Sequence, residues 1–305
     1  METQTTERMA VENDEAAASR SGPETVQPSN AVTPQAASCP TCAGSQTGPA
    51  ASPSCVYVIG HIEPRFPLLS VEKEARQATA RGGGSKDTDR ETMAKVLRDP
   101  SNKYLVRQLC WVLSVQGVET YILVPRDGDY QPLIDAYRAE PTPGDLELVI
   151  GILGPIAPPM MCNGLLVPIV IFDQIYAFDR KSLLDSIPKP KDADQKFTKS
   201  AGEMFDRIMQ QSDNAGATDA DRAVNYMAVR YEGPYRLAAE QFANNASFTS
   251  IDVLPSPLSG TRKIVDVVFS FTDRTTDVVS KYFTRVDVTE CFPFLVTKMS
   301  PYFDR

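Results

Sequence analysis

Hydrophobic side chains enter this chain late and then recur with two different periods. Residues 1–36 hold no aromatic, leucine or isoleucine side chain and are rich in Ala, Ser, Thr, Glu and Pro. Such a segment buries too little apolar surface to offset its chain entropy, so residues 1–37 are expected to be a disordered leader and 38–305 the folded domain. The first aromatic, Tyr57, lies in the strand-like run Val56-Tyr57-Val58-Ile59-Gly60. Residues 81–89, opening Arg81-Gly82-Gly83-Gly84-Ser85, read as a flexible loop. A hairpin is predicted over 107–124: Leu109, Trp111, Leu113 and Val115 alternate on one side, Gln116-Gly117 turns the chain, and 118–124 return. Residues 145–153 and 165–177 are two further apolar strands. Pro168 has no N–H to give to a ladder, which assigns the second to an edge or a bulged position.

The period then changes to that of helices. Phe197, Ala201, Met204, Phe205, Ile208 and Met209 recur at three and four residues as one buried stripe. Thr218 with Asp221 has the spacing of a capping box and opens a helix with Val224, Met227, Ala228 and Tyr231 on its inner face. Gly233-Pro234 breaks it, and Tyr235, Ala238, Ala239 and Phe242 continue the stripe. The last sixty or so residues return to alternation, with Val265, Val267, Phe269 and Phe271 on one strand and Tyr282, Val286 and Val288 on the next. Strands at both ends with helices between, and no regular βαβ alternation, predict an α+β fold. The expected form is one domain with a mixed or antiparallel sheet, central helices and a structural zinc site.

Composition narrows the function classes. The chain has 305 residues, 42% hydrophobic and 23% charged, ordinary values for a soluble protein. No run approaches the roughly 18 apolar residues of a spanning helix, and no basic stretch followed by an apolar segment marks a secretory signal. The expected compartment is the cytoplasm, with no membrane partner. Half of the net charge of −8 lies in the leader, where Glu2, Glu7, Glu12, Asp14, Glu15 and Glu24 face only Arg8 and Arg20. No Lys/Arg cluster stands out to replace condensed counterions, so nucleic acid is not an expected partner.

Most familiar chemistries lack their residues. His61 is the only histidine, and no Gly-x-Ser-x-Gly elbow exists for a nucleophilic triad. Gly82-Gly83-Gly84-Ser85-Lys86 lacks the spacing of a phosphate loop. A calcium-like stretch from Asp213 fails because Gly216 is fourth and Val224 twelfth. Neither Asp173 with Asp179 nor Asp287 with Glu290 is marked as an acid–base pair. That leaves six cysteines, expected to stay reduced in a cytosolic chain unless they bind metal or do chemistry. Cys39-Pro40-Thr41-Cys42 is half of a zinc site, since two intervening residues let both thiolates converge on one ion. Cys110, on the hairpin face opposite Trp111, and Cys162, in the loop 154–164, are the choice to complete it over Cys55 and Cys291. Four thiolates make such a site structural. Two alternatives stay open for Cys39 and Cys42: a redox pair, or two solvated thiols. An enzyme of unrecognised type would use Cys162 as nucleophile, or an open zinc site with Glu63 as general base. Expected contact residues for a peptide or protein partner are Glu63 and Arg65 in a proline-flanked turn, and Met160, Met161 and Asn163, because exposed methionines adapt to varied ligands. Met160 and Met161 could equally pack the core beneath a rigid loop.

Several strings carry a resemblance. They are Cys39-Pro-Thr-Cys-Ala-Gly44, Ile62-Glu-Pro-Arg-Phe-Pro67, Tyr104-Leu-Val-Arg-Gln-Leu-Cys-Trp111, Gly154-Pro-Ile-Ala-Pro-Pro159 with Met161-Cys-Asn-Gly164, Val167-Pro-Ile-Val-Ile-Phe-Asp-Gln-Ile-Tyr176, and the closing Phe294-Leu-Val-Thr-Lys-Met-Ser-Pro-Tyr-Phe-Asp-Arg305. From about residue 38 onward the chain resembles the C-terminal domain of PatG-type cyanobactin maturation proteins. The resemblance implies a place in the biosynthesis of ribosomally made, post-translationally modified peptides, a bound zinc and a homodimer. Cys39, Cys42, Cys110 and Cys162 all fall within the matching strings. In that family the domain follows a subtilisin-like protease and has no established activity of its own. This chain has no Ser-His-Asp motif, so peptidase or macrocyclase activity is not carried over. The expected function is a non-catalytic accessory domain that binds a precursor peptide or a processing enzyme, with an oligomerisation domain as a further reading.

Overall fold

The computed structural model describes residues 54–82, 87–188, 195–210 and 214–303. The leader, Cys39, Cys42 and most of the glycine-rich loop lie outside the described residues.

The first half of the fold is a closed barrel of five strands in the order β1-β2-β3-β5-β4. Its strands are β1 (Cys55–Arg65), β2 (Cys110–Val115), β3 (Val118–Pro125), β4 (Asp145–Ile156) and β5 (Pro168–Asp179). All pairs are antiparallel except β3 with β5. This is a Greek-key barrel of the OB type, a closure that leaves no open edge. β1 serves both ends of the closure, pairing with β4 through residues 55–60 and with β2 through 61–65. Gly60 sits at the changeover, where a Cβ would stand 2.4 Å from the Ser114 carbonyl oxygen, so only glycine lets β2 approach there. The hairpin turn is where the pattern put it: Gln116 and Gly117 both have positive φ, the conformation that matches strand twist.

Alternation fixes which side chains face inward. Val56, Val58, Ile62, Trp111, Leu113, Tyr121, Leu123, Val149, Val170 and Phe172 fill the barrel. The inserted helices α1 (Leu69–Gly82), α2 (Asp89–Arg98) and α3 (Lys103–Gln108), together with α4 (Gln131–Ala136), add Val71, Ala75, Leu97, Leu105 and Leu133 to the same core. On the outside of β1 and β4, Tyr57, Ile59, Leu148 and Ile150 join a second core. That core contains the helices α5 (Arg180–Ser186), α6 (Gln195–Met209), α7 (Asp219–Arg230) and α8 (Gly233–Ala243). Beyond them lies a four-stranded antiparallel sheet in sequence order, β6 (Ala246–Pro255), β7 (Ile264–Asp273), β8 (Val279–Asp287) and β9 (Phe294–Pro301). Its inward side chains Val265, Val267, Phe269, Phe271 and Val286 close the core.

The architecture is therefore α+β, with one mixed and one antiparallel sheet rather than a single sheet. The predicted stripe on α6 is buried at Phe197, Ala201, Met204, Phe205 and Ile208. Thr218 and Asp221 make the capping box reciprocally, and α8 opens with a proline in its first turn. Of the two positions expected for β5, the bulged one is found: the strand pairs on both sides, and Pro168 is its first residue, opposite Ile156 at an irregularity in the register. One expectation needs correction. The segment 81–89 is not wholly a loop, since α1 runs to Gly82 and α2 begins at Asp89 behind a Thr88–Glu91 capping box.

Candidate functional site

Register brings two of the expected contact segments together. Glu63 lies opposite Val112 and Arg65 opposite Cys110, so these four side chains share the outer face of the barrel. Cys110 is bonded to Cys162, which draws the β4–β5 loop over the same face with a Cα–Cα distance of 5.7 Å. A small apolar cluster results, in which Cys110, Val112, Ile122, Ala157 and Cys162 are buried and Met161, Leu165, Val167 and Ile169 pack against them. Met160 does not share in it; 83% of its surface is open to solvent. Met161 is half-buried, so the two neighbouring methionines divide between the two roles considered for them. Leu166, Ile156 and Ile171 extend the exposed apolar surface around the loop. Asn163 (φ +46°) and Gly164 (φ +84°) form its tip, where the Gly164 amide donates to the Pro159 carbonyl at 2.8 Å. Their left-handed conformation suits asparagine and glycine.

Charge on this face is paired. Arg65 Nη1 donates to both carboxylate oxygens of Glu119 at 2.6 and 2.7 Å. Glu63 receives a two-point bond from Arg90 on α2, at 2.8 and 3.0 Å, and the same guanidinium stacks 4.3 Å above the Tyr137 ring. Arg90 and Tyr137 also line an open cleft of about 1000 Å³ between α1, α2 and the barrel end, with Phe66, Ala75, Thr79 and Met93. A general-base role for Glu63 is poorly served by this arrangement, because the Arg90 guanidinium occupies both carboxylate oxygens. His61 is exposed on β1 opposite Ser114.

Just inside the barrel wall lies an acid that the sequence pattern did not single out. Glu147 is buried, has the inward parity of Val149 on β4, and accepts the Ile62 amide at 3.2 Å. Burial pushes its pKa up to about 7, against the pull of the Ile62 bond and of Arg138 and with a further push from Asp145 and Glu63. Arg138 itself is bonded to Asp145, so among the described residues Glu147 has no cation of its own. A charged residue within the run Asp145-Leu146-Glu147-Leu148-Val149-Ile150 was the available signal.

The cysteines depart from expectation. Four of the six are paired, Cys55 with Cys291 and Cys110 with Cys162, rather than reduced. Cys55 and Cys291 are 236 residues apart, and nothing local in the sequence marks them as partners. Cys162 is fully buried and carries no thiol, which removes it as a nucleophile in this form. Among the described residues no group of three or more His, Cys, Asp or Glu side chains could hold a metal ion. Of the four expected zinc ligands, Cys110 and Cys162 are brought together, while Cys39 and Cys42 lie outside the described residues.

Residues 191–302, covering α6 to β9, match the family model described as PatG C-terminal. Over this stretch the chain is similar to a PatG C-terminal domain. A solved structure described as "PatG Domain of Unknown Function" superposes with a TM-score of 0.62 at 20% identity, covering 82% of this chain and 98% of that one. Its likeness reaches beyond the matched PatG region and concerns the fold. The comparison with curated proteins gives no match. Among the described residues no helix is long and apolar enough to cross a membrane.

Proposed function

We propose that this chain is a non-catalytic recognition module in the biosynthesis of ribosomally made, post-translationally modified peptides of the cyanobactin kind. It holds a precursor peptide, or an enzyme that processes one, on the outer barrel face. The observation that carries this reading is the convergence of Glu63 and Arg65 with the Met160–Asn163 loop on one surface, with exposed Met160, Leu166, Ile156 and Ile171 beside paired charges. Apolar anchors with a polar rim suit a peptide better than a small metabolite. In five-stranded barrels of this type the strand 2–3 face and the loop after strand 4 are where ligands sit. The PatG match supports the pathway, and the paired charges around Glu63 and Arg65 support a non-catalytic role.

The test is titration of a fluorescently labelled precursor peptide. Met160→Glu and Arg65→Glu are expected to weaken binding by about tenfold or more each, the loss typical of an anchoring contact. Affinity identical to that of the parent in both variants would place the contact elsewhere.

Zinc, a homodimer and a cytoplasmic location belong to the same proposal. The donor chemistry fits a structural zinc only in the reduced protein, where Cys110 and Cys162 already stand side by side as half of a tetrathiolate site and Cys39 and Cys42 would complete it. Metal analysis of the reduced chain is expected to find about one zinc per chain, lost in Cys39→Ser. Light scattering that returned a monomer at all concentrations would remove the dimer.

A further inference from the structure

The loop between β4 and β5 is joined to the barrel face by one covalent bond and by the apolar packing of Ala157, Met161, Cys162, Leu165 and Val167. Its backbone hydrogen bonds close on the loop itself: Ala157 with Val167, Met161 to Pro158, Gly164 to Pro159 and Leu165 to Cys162. Beneath it lie Val112 and Ile122, 3% and 1% exposed, in one apolar cluster with the loop residues Ala157, Met161, Cys162 and Leu165. Above it Met160 and Leu166 remain in solvent. The covered face belongs to β2 and β3, the surface on which barrels of this topology carry ligands.

We propose that residues 157–167 are a thiol-fastened strap, closed while Cys110 and Cys162 are joined and open when both are free thiols. Opening bares the apolar strip Val112–Ile122–Ile169, continuous with exposed Ile171, and so enlarges the surface available to an apolar ligand. A dithiol reductant supplies the two electrons. One of its thiolates attacks a sulfur of the Cys110–Cys162 bond, giving a mixed disulfide and releasing the other protein sulfur as a thiolate. Its second thiol then displaces the remaining protein sulfur, the reductant leaves as a disulfide, and the protein keeps two thiols. The proposal rests on reading this face as the ligand face, although strap opening itself is measurable without any ligand.

Hydrogen exchange followed by mass spectrometry tests it on the full chain. The oxidised protein is compared with protein reduced in the presence of a chelator, so that no metal replaces the bond, and with Cys110→Ala combined with Cys162→Ala. In both open forms the amides of 157–167 are expected to accelerate by roughly a further tenfold or more beyond any change in the barrel strands, with the emission of buried Trp111 unchanged. Loop exchange equal to that of the oxidised protein would overturn the proposal. So would acceleration spread evenly over β1 to β5, which would make the bond a stabiliser of the whole barrel. Binding of a labelled peptide to the opened protein tests the ligand reading separately.

Discussion

At the scale of single residues, Glu147 is the side chain whose environment departs furthest from what its type prefers. Its carboxyl is held near pKa 7 in the folded protein against an ordinary value of 4.5, chiefly by burial. Below about pH 4.5 it is neutral in both folded and unfolded chains and destabilises nothing. Between there and pH 7 the unfolded chain ionises first, so this group's contribution makes stability fall as pH rises. Above pH 7 the loss is complete, at about 3 kcal/mol from the size of the shift. Glu147→Gln should therefore be more stable than the parent at pH 8 and nearly equal to it at pH 4.5, as read by urea denaturation. A difference independent of pH would show that the shift is not what the substitution relieves. Residue identity alone foretold little of this. Glu147 is legible as a charge within an apolar strand, but its inward parity and the absence of a cation among the described residues depend on where β4 pairs. Glu63 and Arg65 were expected in a proline-flanked turn but lie in strand β1, and their salt-bridge partners Arg90 and Glu119 come from elements that local pattern does not connect.

At the scale of elements, legibility follows the strength of the apolar period. α6 and α7 were plain because large side chains recur every three or four residues and Thr218 announces the start of α7. The cap is also testable. The Thr218 hydroxyl accepts the Asp221 amide at 3.1 Å while the Asp221 carboxylate accepts the Thr218 amide, so Thr218→Ala should destabilise the protein by about 1 kcal/mol, with Thr218→Ser close to the parent. Equal stability of the two variants would mean that the cap bonds contribute nothing. α1 escaped detection because its buried stripe is only Val71 and Ala75, with Ala78 partly covered, too little apolar bulk to show a period. β6 was missed for a related reason, since its alternation of Phe248, Ile251 and Val253 is shifted by a bulge between Phe248 and Ser250. Pro168 was read correctly as unable to donate, and of the edge or bulged position expected for it the irregular start of β5 supplies the second.

At the scale of the whole molecule, the barrel and the second sheet are joined through the shared outer face of β1 and β4 and through Cys55–Cys291. That bond ties the start of β1 to the segment after β8 across 236 residues. A loop of that length implies stabilisation of about 5 kcal/mol by the chain-entropy argument, against about 4 kcal/mol for the shorter Cys110–Cys162 loop. Cys55→Ala with Cys291→Ala should consequently lower the denaturation midpoint more than Cys110→Ala with Cys162→Ala, whereas only the latter should free the strap. Topology of this kind was beyond local reading. Helical and strand periods fixed the α+β class, but barrel closure and cystine pairing depend on contacts between segments far apart in sequence.

The central claim is that a peptide or partner surface lies on the outer barrel face formed by β1, β2, β3 and the β4–β5 loop. Backbone NMR of the isotopically labelled chain, titrated with unlabelled precursor peptide, addresses it most directly. The account predicts shift changes gathered at residues 61–65, 110–124 and 156–171, with β6 to β9 left unperturbed. Perturbations confined to the β6–β9 sheet, or none at saturating peptide, would contradict it.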